Sequence, residues 1–245
     1  MDYIKLALEG FSYCLEMFGG AFCFLIFLEK RKKFVFRIGF SLAILFLCSL
    51  LFYPHFADIR NRYNWLWYIG IYTCIIGLNM LCCNINARES VLAASCGSLL
   101  QHAVSSLYIL IHYRGIIPEF LTLDYWCLFG IIYFGFTVVI ARNLSDGGHY
   151  HVSWVNAGVM AVIDIAIVLV LSVLVKSTTI DVIGSGTANA EYIKLFRINQ
   201  IYVLGACILV LILQAIFFIM KNKKERSNAD RMSVEACILL LRFIY

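Results

Sequence analysis

Charge and proline are what this chain has least of. Charged residues fill 14% of its 245 positions and there are two prolines, against about 25% charged residues in an ordinary soluble domain. Hydrophobic residues make up 62%, so too few polar side chains remain to cover a water-facing surface, and a soluble globular domain is excluded. Internal repeats, low-complexity tracts and long linkers are also missing. No H-E-x-x-H, G-x-S-x-G or P-loop pattern occurs, which removes three common hydrolase signatures. The G-S-G of "GSGTANA" has no strand before it, so it does not read as a dinucleotide fingerprint. The expectation is a protein that is not an enzyme and needs no cofactor.

What is present is a series of apolar runs. A helix crossing a hydrocarbon core of ~30 Å needs about 20 mainly apolar residues. Seven such runs fall at roughly 6–28, 34–53, 65–83, 90–112, 121–140, 155–175 and 201–220. The expected fold is all-α, a polytopic membrane bundle of about seven transmembrane helices over residues 1–220, followed by a short basic juxtamembrane tail over 221–245. The one sizeable loop is expected from Lys176 to Gln200.

Asp2 and Lys5 do not make the basic start of a cleavable signal peptide, and the cluster Lys30, Arg31, Lys32, Lys33 follows the first run. The N-terminus is therefore expected outside. That choice collects Lys30 to Lys33, Arg37, Arg88, Arg142, Lys221, Lys223, Lys224 and Arg226 on the cytoplasmic side, with the C-terminus inside. Lys30, Arg31, Lys32, Lys33, Lys221, Lys223 and Lys224 read as membrane anchors against anionic lipid. The net charge of +5 is accounted for by them without nucleic acid.

Nine of the ten cysteines lie inside the expected spans, where cysteine behaves as a small hydrophobe. The outside loops hold none, so no disulfide framework is expected. Cys82 and Cys83 with His149 and His151 have the ligand types for zinc, but nothing in their spacing fixes all four together, and no metal is expected. Tyr63, Trp65, Trp67, Tyr68, Tyr113, Tyr125 and Trp126 read as interfacial aromatic belts, a rim that also suits an apolar peptide.

Polar groups inside the runs carry the functional argument. At a rise of 1.5 Å per residue, Glu16 lies roughly 18 Å from the cytoplasmic end, His102 about 16 to 18 Å and Asp164 about 14 Å. Lipid-facing charges at that depth cost at least ~2.5 kcal/mol each, so these groups should turn inward and find partners. Glu16, Gln101, His102 and Asp164 are the expected buried polar layer, with Asn79 and Gln214 as a secondary polar pair nearer the cytoplasmic face. The bland reading makes Gln101 and His102 packing residues, each bond worth about 0.6 kcal/mol. The sharper one makes the layer a switch between two helix packings. Gly97, Gln101 and Ser105 recur at four-residue spacing, with Ser98 and His102 beside them, while Leu99, Val104 and Leu107 are expected to look elsewhere. Such a stripe marks a central, closely packed helix.

"NINARESVLAASCGSLLQHAVSSLY", "ARNLSDGG" and "LILQAIFFIMKNKK" resemble segments of GHKL-type bacterial sensor histidine kinases related to the accessory-gene-regulator quorum receptors. The resemblance covers most of residues 1–225 and makes Gln101 and His102 characteristic family positions, without assigning them a chemical role. It implies a membrane-embedded sensor region in a bacterial cytoplasmic membrane, a peptide or small-molecule signal arriving from outside or within the membrane, lipid contacts and homodimerisation. In that family the last span leads into a phosphoacceptor histidine and an ATP-binding domain. The residues after Met220 contain neither histidine nor glycine. The expectation is therefore a sensor half without a kinase half, its last ten residues from Ala236 to Tyr245 resembling a frame-disrupted end or an amphipathic segment on the membrane. The alternative is a small secondary transporter using the buried Glu, His and Asp. Against it, the spans show no paired helix breaks and no two-fold repetition.

Overall fold

The structure, a computed structural model, describes residues 3–57, 62–112, 122–142, 150, 152–184 and 190–244. Within them the chain forms seven helices, α1 (Tyr3–Leu25), α2 (Phe34–Phe56), α3 (Asn64–Cys82), α4 (Ala87–His112), α5 (Leu123–Phe136), α6 (Trp154–Gly184) and α7 (Ala190–Ile244). A π-helical turn, Thr137–Ala141, continues α5. No strand occurs among the described residues, and the expected all-helical bundle is the observed fold. Four segments are long and apolar enough to cross a membrane unaided: Phe34–Phe56, Trp65–Cys82, Ala87–His112 and Ile193–Lys221. The chain is a multipass membrane protein by this measure.

The first four helices match the apolar runs closely; the last two do not. The loop expected from Lys176 to Gln200 is helical through Gly184 and helical again from Ala190. The polar residues of that stretch end the apolar run but do not end the helix, since no proline lies among them and Gly184 is the first strong stop signal. The tail behaves likewise, because α7 continues past Met220 to Ile244 without interruption.

Pro54 lies inside the last turn of α2. Proline has no N–H to give the carbonyl four residues back, and that carbonyl, Leu50, instead accepts the Tyr3 hydroxyl at 2.7 Å. At α4 the chain builds a start signal: the Glu89 carboxylate accepts the Asn86 N–H at 2.8 Å, the return half of a capping box. The other oxygen of Glu89 accepts the Tyr150 N–H at 2.8 Å, and the Tyr150 hydroxyl donates to the Phe24 carbonyl. Residue 150 thus ties α4 to the end of α1.

Helix α4 is the hub. It packs on α1, α3, α5, α6 and α7, and 72% of its apolar window is buried, against 17% for α2. Its crossing with α1 is backbone to backbone. A Cβ on Gly97 would collide with the backbone of Ala21, and one on Gly20 with the Gly97 carbonyl, so only glycine lets the helices lie this close. Leu99 and Val104, expected to look away from the packed face, are buried as well. Leu107 is half-buried, as are His102 and Ser105 of the polar stripe itself, so burial does not separate the stripe from the rest of the helix.

The turns at one end lock together. Arg31 donates through its backbone to the Cys82 carbonyl at 3.1 Å and through Nε to the Cys83 carbonyl at 3.0 Å, while Arg37 reaches the Leu81 carbonyl at 3.1 Å. These carbonyls close α3, where unsatisfied acceptors and the negative dipole end attract cations. Of the expected anchors, Arg31 and Lys30 are exposed but bond the chain itself, Arg31 at the end of α3 and Lys30 at the Ile26 carbonyl at 2.7 Å. Lys32, Lys33 and Lys224 are exposed and Lys221 is half-buried, while the Lys223 side chain lies outside the described residues.

Candidate functional site

Two buried polar clusters flank α4. The first gathers on Glu16 of α1, which is 4% exposed. One carboxylate oxygen accepts Gln101 Nε2 at 2.8 Å and the Tyr125 hydroxyl at 2.6 Å; the other accepts Ser12 Oγ at 3.1 Å. Tyr133 donates to the Glu16 backbone carbonyl at 2.9 Å. The antiparallel register of α1 and α4 sets this up, because Glu16 and Gln101 each lie four residues, one helical turn, from the Gly20–Gly97 contact.

The second cluster joins α4, α6 and α7. Asp164, fully buried, accepts Gln214 Nε2 at 2.5 Å, and Gln214 Oε1 accepts Cys96 Sγ at 3.1 Å. Ser95 lies beside the same carboxylate. The second carboxylate oxygen, Oδ2, is buried with no hydrogen-bond partner.

The expected single layer is thus two separate clusters. Gln101 and Cys96, their contacts on α4, are five residues apart, which is about 7.5 Å of rise and about 140° of rotation. Depth counted along each helix cannot register that rotation. His102 joins neither cluster by a hydrogen bond; its Nδ1 pairs with the Ser98 carbonyl of its own helix at 2.9 Å. Gln214, expected beside Asn79, instead holds Asp164. Asn79 is fully buried and neither atom of its amide has a partner.

Some participants had another reading or none. Tyr125, expected in an interfacial belt, is fully buried, because its hydroxyl reaches inward to Glu16. Trp67 is buried too, whereas Tyr63 and Trp65 are exposed as a belt requires. Tyr113 lies outside the described residues. The spacing Tyr125, Phe129, Tyr133 was the available signal, since residues four apart share a helix face, and all three are buried. Ser12, Ser95 and Cys96 carried no signal of their own. Above this face, the Tyr108 ring packs on Tyr125 at 4.8 Å, its hydroxyl pairs with Asp124 at 3.2 Å, and Asp124 meets His112 at 3.1 Å. A continuous set of contacts therefore runs from the exposed end of α4 down to Glu16.

For metal chemistry the arrangement offers little. Among the described residues no group of three or more His, Cys, Asp or Glu side chains is placed to hold an ion. Cys82 is buried against Ser41 Oγ at 3.4 Å, and His149 and His151 lie outside the described residues. Nine described cysteines are free thiols.

Comparison with known proteins finds no matching family model, curated protein or solved structure.

Proposed function

We propose that this chain is the membrane-embedded sensor region of a signalling receptor, resembling that of a histidine kinase, with its N-terminus outside and its C-terminus in the cytoplasm of a bacterium. The observation that carries the reading is the continuity of α7. Gln214, which holds the buried Asp164, lies on the same unbroken helix as the polar segment after Lys221. A change in the packing around Asp164 has a rigid path to the cytoplasmic face, as transmission by helix movement requires. A signal, a peptide or a small molecule arriving at the membrane surface, would act at the end of α4 where His112, Asp124 and Tyr108 meet. The contacts from Tyr108 through Tyr125 to Glu16 carry its effect to the centre. Lipids surround the bundle, and a homodimer would bring two copies of α7 together.

The test is single-molecule energy transfer between dyes on the exposed Lys33 and Lys224, introduced as non-natural residues in nanodiscs. Two interconverting distances are expected, with their populations changed by Asp164→Asn. A single distance in both proteins overturns the receptor reading.

Secondary transport is the second reading, favoured by two buried carboxylates in a membrane bundle. A pH-sensitive dye inside proteoliposomes separates the two. Proton entry driven by a gradient and abolished by Asp164→Asn supports transport, and its absence supports the receptor.

A further inference from the structure

The carboxyl of Asp164 is held unlike any other described acid in the bundle. Only Oδ1 receives a hydrogen bond, from Gln214, while Oδ2 is buried and unpartnered. Among the described residues, the titratable groups that face it are Tyr72 of α3, Cys96 of α4 and Cys207 of α7, all neutral when protonated and none a cation. The polar side chains acting on it, Ser95 and Cys96 of α4 and Gln214 of α7, are likewise uncharged. An ionised carboxylate in such a seam has neither a counter-charge nor a full set of donors. That is the costliest way to bury an acid, whereas the neutral acid leaves one hydroxyl unpaired, a smaller penalty. Glu16 differs because both its oxygens already receive hydrogens.

We infer that the Asp164 carboxyl is a proton-binding site, occupied as the neutral acid while α4, α6 and α7 pack together and emptied when water enters the seam. Binding adds one proton to Oδ2 and removes the charge; release leaves a carboxylate that needs water or an opened seam. The proton is then a ligand that favours the packed arrangement, because it binds only there without competing hydration. What this does for signalling rests on the receptor reading, but the binding itself does not.

The test uses the wild-type chain in lipid vesicles and the probe dicyclohexylcarbodiimide, an apolar reagent that adds to carboxylic acids and not to carboxylates. Adducts are mapped by mass spectrometry between about pH 6 and about pH 9. The adduct is expected on the peptide carrying Asp164, falling at least about tenfold across that range, unchanged by sodium ions, and absent in Asp164→Asn. No adduct at Asp164 at any pH, an adduct insensitive to pH, or protection by sodium ions overturns the proposal; the last would make the occupant a metal cation. A single α7 position in the dye measurement would remove the receptor reading and leave this result standing.

Discussion

Glu16 and Asp164 are both carboxylates buried against α4, yet their surroundings differ. Glu16 receives hydrogens from Ser12, Gln101 and Tyr125, on three helices, while Asp164 receives one from Gln214. The α5 face supplies strong hydroxyl donors, and the facing side chains around Asp164 include cysteines, whose S–H is a weak one. Donors on both carboxylate oxygens make the first cluster a clamp, although Gln101 Oε1 beside it is buried without a partner. The second is a joint in which the carboxylate itself keeps a spare acceptor, tied to α7 through Gln214. The same residue class on the same central helix takes different roles because of what its neighbours can donate.

The largest way to break this comparison is at the glycines. Gly97→Val should push α1 off α4 and destroy the clamp, destabilising the protein by about 3 kcal/mol, read from denaturant unfolding in mixed micelles. On the joint side, Gly158 and Gly205 have open space around them, and alanine there should be tolerated. Next in size, Glu16→Leu leaves three donors without their acceptor and should cost about 2 to 3 kcal/mol in the same assay. Asp164→Asn keeps an oxygen for Gln214 and should change stability by less than about 1 kcal/mol; a loss as large as that of Glu16→Leu would erase the distinction. Double-mutant cycles sharpen it further. Glu16 with Gln101 should couple by about 1 kcal/mol, and Asp164 with Gln214 by about 0.6 kcal/mol, within the range of interhelical bonds in membranes. The smallest effect is Gly205→Ala, expected to stabilise α7 by about 0.5 to 1 kcal/mol through helix propensity alone.

Much of the fold was legible in the sequence, for a physical reason. Lipid forces each crossing segment to satisfy its own backbone, so apolar length alone locates helices, and α1 to α4 lie where their runs predict. The same rule says nothing about polar helix, which is why the continuation of α6 to Gly184 and of α7 to Ile244 was missed. The site was half legible. That Glu16, Gln101, Asp164 and Gln214 turn inward followed from the cost of exposing them to lipid, and each is buried, whereas His102, expected with them, is only half-buried. Who pairs with whom did not follow. Tyr125 resembled a belt residue because an amphipathic ring suits an interface and a buried carboxylate equally well.

The sequence by itself determined a helical membrane bundle, the central place of the Gly97–Gln101 helix and the inward turn of its costly polar groups, because these depend on composition and local spacing. Only the tertiary structure decided that those groups divide into two clusters, that Gln214 belongs with Asp164, and that His102 bonds within its own helix. Rotation about a helix axis and the identity of the facing helix are set by packing between distant segments, and no local spacing records them.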